Sequence, residues 1–431
     1  MLNRFTLATA FLLTVCTLAS PVQTEPVTSG GSYEINSVLG IEYATAERWE
    51  LPTLNTDWSA GTDFGPACPQ AGQTVMVEDC LFLNIFSPDT DATDLPVLVW
   101  FHGGGFIAGE GGTGPKTFAR DGVVVVTFNY RLGKLGFHDW AGWDETDPRN
   151  FGQADMVAAL NWVQANIAQF GGNPNDVTLA GHSAGGMGVQ LMMVDPRAEG
   201  KFAHAWSHAG YGSWPFPKAY NPTPEERQRI RYAPLETPRS AAQLVSDISV
   251  FHLPFIDAPF LKDQPVDLFG SGKPYVAGAN SYDGAGTLQG AGFTPDSFLS
   301  QIDSPALRKV YAADFAVSKR HAAQQIFGDL RYLLSSAETA QAAKGWLFHY
   351  DEIRGDLPGA THGQQYDRLF ADAPFAMKEA MLSFIKSGEP GWATLETGHH
   401  ARFSPELSTA KISILHTRLD HLAKSSDLLK P

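Results

Sequence analysis

The sequence predicts an α/β fold, in which helices flank a central and mostly parallel β-sheet. Residues 97–101 and 123–128 are apolar and rich in β-branched side chains, as strands buried on both faces are. Residues 154–169 have apolar side chains at helical spacing, and a short strand pattern follows at 177–180. This alternation of strands and helices is typical of a parallel sheet.

Two further apolar runs continue the pattern towards the carboxyl terminus. Residues 275–279 and 346–350 have the composition of later strands of the same sheet. The segments 211–250 and 290–345 are irregular or helical, and we expect them to cover the carboxyl end of the sheet, where ligands bind in this class of fold. The sequence contains no linker, repeat or low-complexity stretch, so we predict a single domain over residues 21–431.

The segment 177–186 contains the most informative motif. A strand pattern runs into G-H-S-A-G at positions 181–185, and a helix is predicted over residues 184–193. G-x-S-x-G is the pattern of a nucleophile elbow, a tight turn that lifts one serine Oγ above the sheet. The helix directs its positive N-terminus at the reacting centre. Ser183 is therefore the predicted nucleophile.

A glycine-rich loop strengthens this interpretation. The motif H-G-G-G at positions 102–105 directly follows the predicted strand 97–101. Acyl transfer needs backbone N–H donors where negative charge develops on the carbonyl oxygen, and glycines let the backbone approach that oxygen closely. The alternative is a plain glycine-rich turn. His102 is interpreted as an orienting residue rather than a metal ligand.

Composition limits the classes of partner. The chain has 431 residues, of which 43% are hydrophobic and 18% charged, and this is ample for a large buried core. A net charge of −15 makes nucleic acid and anionic membrane surfaces unfavourable partners. We therefore predict no nucleic-acid partner and no membrane association of the mature form.

The amino terminus is predicted to be a signal peptide over residues 1–20. Arg4 supplies a positive charge, and an apolar run over residues 5–18 ends near two small residues. We therefore expect a secreted or periplasmic mature protein. An anchoring helix and a lipoprotein processed at Cys16 are the alternatives, although the apolar run is short for a membrane span.

The mature chain would keep two cysteines, Cys68 and Cys80. In an exported protein an even pair is expected to form a disulfide. Two buried free thiols are the alternative.

The chain resembles the type-B carboxylesterases, the α/β-hydrolase group that includes the cholinesterases. The matching motifs are G-I-E-Y-A at 40–44, E-D-C-L-F-L-N-I at 78–85, N-Y-R-L-G at 129–133, the pattern of Asn150, Gly152 and Asp155, and G-G-N-P at 171–174. The resemblance implies an α/β-hydrolase fold and identifies Cys68–Cys80 as the family's first disulfide. It also implies structural ion pairs between Arg48 and Glu78 and between Arg131 and Asp155.

In this family the acid and then the histidine of the catalytic triad follow the serine. His362 lies in the small-residue loop G-A-T-H-G at 359–363 and matches the family's catalytic His-Gly. Its nearest rival, His349, lies inside a strand pattern, and His182 is beside the nucleophile, where its side chain is expected to point away from Oγ.

The predicted acid departs from the family pattern. The family usually has Glu in G-x-N-x-x-E-G, whereas this chain has G-A-N-S-Y-D-G at 278–284. Asp283 is therefore the predicted acid, and a simple turn aspartate is the alternative. Because Asp is one methylene shorter than Glu, its backbone must lie closer to the imidazole.

The resemblance implies ester hydrolysis through an acyl-enzyme. Ser183 attacks the carbonyl and His362 takes its proton, while the backbone N–H groups of Gly104, Gly105 and Ala184 hold the oxyanion. The expected partner is a small-molecule ester, and no metal or organic cofactor is required. A secreted lipase is one alternative function. A non-catalytic adhesion homologue is another, but no triad or oxyanion residue is missing.

Several departures from the family bear on the substrate. His182 and Gln365 stand where the family often has acids, which alters charge near the site. The loop from Cys68 to Cys80 has no Trp, the residue with which cholinesterases hold a quaternary ammonium, so a choline ester is not expected. A group of aromatic residues is predicted either to line an apolar pocket or to lie in the core: Trp140, Trp143, Trp206, Trp214 and Phe216.

Overall fold

The described part of the chain comprises residues 23–25, 33–137, 149–216, 240–246, 250–256, 260–270, 272–404 and 406–411, with Arg418 and Leu422, in a computed structural model. The predicted signal peptide, Trp140 and Trp143 lie outside it. Among the described helices, none has the length and apolar character needed to cross a membrane.

A large β-sheet forms the centre of the structure. The strands in chain order are β1 Gln23–Glu25, β2 Ile35–Glu42, β3 Ala44–Thr45, β4 Thr53–Leu54, β5 Phe82–Pro88, β6 Leu95–Phe101, β7 Val124–Phe128, β8 Gly172–His182, β9 His204–His208, β10 Tyr275–Asn280, β11 Trp346–Tyr350, β12 His399–Ser404 and β13 Glu406–Lys411. Eleven of them form one sheet in the order β1-β2-β5-β7-β6-β8-β9-β10-β11-β12-β13, and β3 pairs with β4.

The sheet is parallel from β7 through β12 and antiparallel at both edges. The predicted strand runs 97–101, 275–279 and 346–350 fall in β6, β10 and β11, and the run 123–128 begins one residue before β7. The predicted α/β class is confirmed. Since the carboxyl ends of the parallel strands lie at one edge, the loops that follow β8, β9, β10 and β11 meet there.

Helices cover both faces of the sheet. They are α1 Gly133–Gly136, α2 Phe151–Asn166, α3 Ala184–Val194, α4 Ala241–Ser246, α5 Pro265–Leu268, α6 Thr287–Gly290, α7 Pro295–Ile302, α8 Pro305–Val310, α9 Ala312–Val317, α10 Lys319–Gly328, α11 Ser335–Ala342, α12 Tyr366–Leu369 and α13 Ala376–Ser387. Short 3₁₀ turns lie at Lys116–Asp121, Ile167–Phe170, Pro196–Ala198 and Leu395–Thr397, and a π-helical turn, Asp329–Leu334, joins α10 to α11.

Strand β6 shows how the sheet divides the core. Val97 and Val99 belong to the apolar cluster that contains α2 and α3, whereas Leu98 and Trp100 belong to the cluster that contains α13. Alternate side chains of a strand point to opposite faces, so one continuous apolar run serves both clusters. The result is a three-layer arrangement with the sheet in the middle.

The helix predicted over 154–169 is displaced. Helix α2 begins at Phe151 and ends at Asn166, after which the chain tightens into a 3₁₀ turn over Ile167–Phe170. The spacing of apolar residues in the sequence did not reveal the first turn of α2, although the residues of that turn are buried. Asn150, just before the helix, is held instead by hydrogen bonds in both directions with the backbone of Phe255.

The covalent and ionic contacts implied by the family resemblance are present. Cys68 and Cys80 form a disulfide, and closure of so short a loop is worth about 2–3 kcal/mol in the chain-entropy account. Arg48 pairs with Glu78 near the surface. Arg131 pairs with the buried Asp155, with Nη2 to Oδ1 at 2.7 Å.

Candidate active site

Ser183 occupies a strained turn between a strand and a helix. Strand β8 ends at His182 and α3 begins at Ala184. Ser183 lies between them with φ 58° and ψ −124°, a conformation that non-glycine residues rarely adopt. A Cβ at Gly185 would overlap the carbonyl of Phe101, so the turn requires glycine there. The segment therefore has the geometry of a nucleophile elbow.

The backbone of Ser183 is fixed on both sides. Its N–H donates to the carbonyl of His208 at 2.9 Å, and its carbonyl accepts from the N–H of Met187 at 2.8 Å. The first bond ties the turn to the neighbouring strand β9, and the second begins helix α3. The strained conformation is thus maintained by its surroundings.

The glycine-rich loop lies after β6, next to the elbow. Gly104 has φ +112° and Gly105 has φ +63°, and a Cβ at Gly104 would overlap the carbonyl of Ala108. Within the described part of the chain, no hydrogen bond uses the backbone N–H of Gly104, Gly105 or Ala184. These three donors are therefore available for a ligand.

His102 orders the start of this loop. Its ring stacks on Tyr130 with centroids 4.2 Å apart, and its Nδ1 lies 2.9 Å from the carbonyl of Gly103. The Tyr130 hydroxyl donates to the carbonyl of His102 at 2.7 Å. Burial lowers the pKa of His102 to about 4, so this imidazole is neutral near pH 7. These contacts fit the orienting role that the sequence predicts.

Asp283 and His362 form a hydrogen-bonded pair. His362 Nδ1 lies 2.9 Å from Asp283 Oδ1, and Asp283 Oδ2 accepts the backbone N–H of Asn280 at 2.6 Å. The carboxylate is buried, whereas the His362 side chain is 16% exposed. Because the Nδ1 proton faces the carboxylate, Nε2 is the nitrogen left to act as a base.

The loops that carry this pair are joined by backbone contacts. The N–H of Tyr282 donates to the carbonyl of Ala360 at 2.8 Å, and the N–H of Ala360 donates to Ser281 Oγ at 2.8 Å. One loop follows β10 and the other follows β11, which are parallel neighbours. The parallel topology therefore brings Asp283 and His362 together across 79 residues of sequence.

The serine is not hydrogen-bonded to this pair. Among the described residues, no hydrogen bond joins Ser183 Oγ to His362. Catalytic hydrogen bonds of this kind are often long in a ligand-free site and shorten when substrate binds.

His182 packs among the groups of the site. Its ring lies 4.3 Å from the ring of His362, 4.7 Å from that of Tyr366 and 5.1 Å from that of His208, between centroids. Its Nε2 is buried and makes no hydrogen bond within the described part of the chain. Burial, reinforced by His362 and His208, lowers the pKa of His182 well below its ordinary value. The sequence did not predict this contact with His362.

Three side chains offer potential metal-ligating atoms. Those of His182, Asp283 and His362 lie within 4.8 Å of one another. In the arrangement described, Nδ1 of His362 already donates to Asp283, which is the geometry of an acid–base pair. The expectation that the reaction needs no metal stays a prediction.

A closed polar network lies behind the pair. His208 Nε2 contacts Asn280 Oδ1 at 2.8 Å, Gln365 Nε2 contacts His208 Nδ1 at 3.2 Å, and Asn280 Nδ2 donates to Gln365 Oε1 at 2.8 Å. The Gln365 amide therefore donates to Nδ1 of His208, and Nε2 of His208 donates to Asn280 Oδ1. An imidazole that accepts at one nitrogen and donates at the other is neutral. Gln365, where the family often has an acid, suits this neutral partner.

The network predicts an acid-sensitive contribution to stability. Burial is the main cause that lowers the pKa of His208 from 6.5 to about 4, against the opposing effect of Asp283. Between these values the unfolded chain binds more protons than the folded chain. The contribution of His208 to the free energy of unfolding is therefore complete above about pH 6.5. It is lost as the pH falls towards 4, by about 3 kcal/mol in all.

Urea unfolding of a His208→Gln variant at pH 7.5 and pH 5 measures this contribution. The variant removes the titrating group and keeps a polar side chain beside Asn280. We expect its free energy of unfolding to fall less between the two pH values than that of the unsubstituted protein. An equal fall in both proteins would contradict the assignment.

Those aromatic residues named from the sequence that the structure describes lie in its apolar core. Trp206 lies in β9 and packs against Phe348, Phe384 and Trp392. Its place in a parallel strand covered by α13 explains this. Trp214 and Phe216 lie after β9 and are buried in the other apolar cluster, which contains α2 and α3.

Two residues near the site were missed by sequence reasoning. His208 ends β9, and Tyr332, in the π-helical turn, has its ring 4.9 Å from that of His362. Strand β9 has no long apolar run to mark it as a strand, so its last residue, His208, was not identified. Tyr332 lies in a segment expected only to cover the site. A polar residue at the carboxyl end of each parallel strand is the signal that could have identified His208.

Comparison with known proteins gives consistent relatives. Residues 21–229 match the carboxylesterase family. The para-nitrobenzyl esterase of Bacillus subtilis is 41% identical over 174 residues, which is 37% of this chain and 36% of that protein. The fumonisin B1 esterase of Sphingopyxis macrogoltabida is 30% identical over 396 residues, which is 79% of this chain and 72% of that protein.

A solved structure agrees with this likeness. The carboxylesterase of Geobacillus stearothermophilus superposes with a TM-score of 0.75 at 25% identity, and the match covers 92% of this chain and 97% of the other. The topology is thus that of an α/β-hydrolase, as the sequence predicts. The extent of the match to the fumonisin B1 esterase and the matched family region show that this chain belongs to the carboxylesterase family.

Proposed function

We propose that the protein is a secreted serine carboxylesterase that works through an acyl-enzyme with Ser183, His362 and Asp283 as its catalytic triad. The observation that carries the proposal is the hydrogen bond of 2.9 Å between buried Asp283 and His362. The ring of His362 also contacts that of His182, the residue before the serine held in the nucleophile elbow. The relatives named for esterase activity support the class of reaction.

The first half of the reaction forms the acyl-enzyme. His362 Nε2 takes the proton of Ser183 Oγ while Oγ attacks the ester carbonyl, and a tetrahedral oxyanion forms. His362 then gives this proton to the leaving alcohol as the carbon–oxygen bond breaks. Asp283 holds the Nδ1 proton and stabilises the imidazolium between the two transfers.

The second half releases the acid. Water enters where the alcohol was, gives a proton to His362 and attacks the acyl carbonyl. Collapse of the second tetrahedral intermediate returns the proton to Ser183 and liberates the carboxylic acid. Atoms and protons balance, and the enzyme is regenerated.

The N–H groups of Gly104, Gly105 and Ala184 are proposed as the oxyanion hole. They make no hydrogen bond within the described part of the chain, and Ala184 is the first residue of α3, so the helix N-terminus adds a favourable partial charge. Fixed donors of this kind stabilise the transition state because they need no reorganisation when the charge forms.

Covalent labelling tests the proposal. A fluorophosphonate probe reacts with an activated serine, and peptide mass spectrometry should locate the adduct on Ser183 alone. A burst of p-nitrophenol from p-nitrophenyl acetate, equal in amount to the enzyme, would identify the acyl-enzyme. Labelling elsewhere, or no labelling of folded protein, would contradict the triad.

The substrate is proposed to be a small soluble ester rather than a lipid. Rates on p-nitrophenyl butyrate in solution and on emulsified tributyrin separate an esterase from the lipase alternative. We expect saturation below the solubility limit of the ester. A jump in rate at the appearance of the emulsion would favour the lipase.

Export and domain organisation complete the proposal. The charge and apolar run at the amino terminus support a signal peptide over residues 1–20, and residues 21–431 are proposed to form one catalytic domain. Amino-terminal sequencing of the protein recovered outside the cytoplasm tests both, since cleavage should fall near residue 20.

A further inference from the structure

Arg331 is a buried cation with no carboxylate partner among the described residues. It lies in the π-helical turn Asp329–Leu334 and is 2% exposed. Among the residues that the structure describes, no ion pair involves Arg331, although Asp329 in the same turn pairs with Arg418. A buried guanidinium normally has an acid beside it, because its desolvation is otherwise uncompensated.

Four aromatic rings surround this guanidinium. The distances from its Cζ to the ring centroids are 4.2 Å for Tyr211, 4.9 Å for Trp214, 5.7 Å for Tyr332 and 5.8 Å for Phe327. Rings at these distances stabilise a cation through their negative faces. They cannot satisfy its N–H groups, which point outwards in the plane of the fork.

Two polar atoms in this cage are enclosed and have no acceptor for their protons among the residues that the structure describes. They are Arg331 Nε and the hydroxyl oxygen of Tyr211, which is 1% exposed. The Tyr211 hydroxyl lies close enough to the guanidinium to accept a hydrogen bond from it, but its own proton and the Arg331 Nε–H still lack an acceptor. Buried donors are almost always paired, so a missing acceptor is indicated. A carboxylate can accept from a guanidinium and a phenol together.

The cage adjoins the proposed catalytic residues. The ring of Tyr332 lies 4.9 Å from the ring of His362, so one aromatic ring separates Arg331 from the general base. Tyr211 follows β9 three residues after His208, at the carboxyl end of the sheet. The cation therefore lies on the side of the sheet where Ser183 presents its hydroxyl.

We propose that Arg331 and Tyr211 bind a free carboxylate carried by the ester substrate, which makes monoesters of dicarboxylic acids and esters of carboxylated alcohols the preferred substrate class. This inference rests on the proposed esterase function. A guanidinium fork pairs with a carboxylate through two parallel hydrogen bonds. The surrounding rings hold the fork in place and exclude water, so little order is lost when the carboxylate binds.

Matched esters test the preference. p-Nitrophenyl monoglutarate and p-nitrophenyl pentanoate have acyl chains of equal length, and only the first has a terminal carboxylate. 4-Carboxyphenyl butyrate and phenyl butyrate place the charge on the leaving group instead. The readout is the ratio of kcat/KM for the charged ester to that for its neutral partner.

Arg331→Met is the informative variant. We expect its charged-to-neutral ratio to fall about tenfold or more for one of the two pairs, mainly through KM, because a charge-assisted pair is lost. Arg331→Lys should give an intermediate ratio, since it keeps the charge and loses the fork. Arg308→Met, which removes a surface guanidinium paired with Asp303, is the control and should keep the original ratio.

Binding of glutarate provides a measurement independent of turnover. At constant ionic strength, glutarate should raise the Tm of the unsubstituted protein and leave that of Arg331→Met unchanged, since a ligand stabilises only the protein that binds it. The Met variant is expected to fold, because an apolar residue of similar size is tolerated where a buried charge has no partner.

The possible outcomes are distinct. Unchanged ratios in Arg331→Met, or equal stabilisation of both proteins by glutarate, would make Arg331 a structural cation and overturn the inference. If no ester, charged or neutral, is hydrolysed, the proposed function fails, while the glutarate measurement still decides whether Arg331 binds a carboxylate.

Discussion

Replacement of Ser183 by alanine is expected to lower kcat for ester hydrolysis by roughly 10⁴- to 10⁶-fold. The substitution removes the hydroxyl that is proposed to form the acyl-enzyme, whereas the proposed oxyanion donors are backbone groups and remain. A residual rate above that of water should therefore persist. Initial rates on p-nitrophenyl butyrate, with protein from which unsubstituted enzyme is excluded, measure the loss.

Ser336→Ala is a suitable control for this substitution. Ser336 is also a buried serine, and its hydroxyl donates to the carbonyl of Gly278 at 3.1 Å. Its removal should cost about 1 kcal/mol of stability with little effect on kcat. Retention of full turnover by a folded Ser183→Ala protein would show that another residue is the nucleophile.

Replacement of Asp283 by asparagine is expected to lower kcat by about 10³- to 10⁴-fold at nearly unchanged stability. An amide can present its N–H to His362 Nδ1, which favours the tautomer with its proton on the wrong nitrogen. Asp283→Glu should retain more activity than Asn because it restores the carboxylate. It should not exceed the original enzyme, since a displacement of about 1 Å can cost ~10²-fold.

The structure gives a reason for the limit on the Glu variant. Asp283 is buried, and its Oδ2 is already held by the N–H of Asn280 at 2.6 Å. The next residue is equally confined, because a Cβ at Gly284 would overlap the carbonyl of Gln324. The loop is thus fitted to the shorter acid, and an extra methylene must displace the imidazole.

A second histidine–aspartate pair provides the matched control. His321 Nε2 lies 3.1 Å from Asp314 Oδ1, and both residues are nearly buried. If loss of any buried pair of this kind lowered the rate, Asp314→Asn would be as harmful as Asp283→Asn. We expect kcat to change little in Asp314→Asn, and the reverse pattern would show that the acid is misassigned.

Local sequence patterns were sufficient to predict the central strands and the turn that carries Ser183. Strands β6 and β7 are continuous apolar runs, and such runs are specific because both of their faces are buried. The motif around Ser183 is equally local, since its glycines and its helix follow one another directly. Strand β12 and the antiparallel edge strand β13 have no comparable apolar run, so their existence depends on pairing with a neighbour.

Contacts between distant segments could not be predicted in the same way. His208 and Gln365 are 157 residues apart, and neither has a local pattern that names the other. Arg331 is likewise an ordinary helix former in sequence, and only the packing of four rings around it makes its charge unusual. The pairing of Asp283 with His362 was accessible in advance because the family resemblance supplied the order of the triad.

The backbone conformation of Ser183 lowers the stability of the fold at a residue that the proposed reaction requires. A non-glycine residue at φ 58° and ψ −124° costs of order 1–3 kcal/mol, which glycine would largely avoid. On the proposed mechanism, glycine at this position would therefore give a more stable protein that cannot form the acyl-enzyme. A lineage released from selection for turnover should then drift towards glycine.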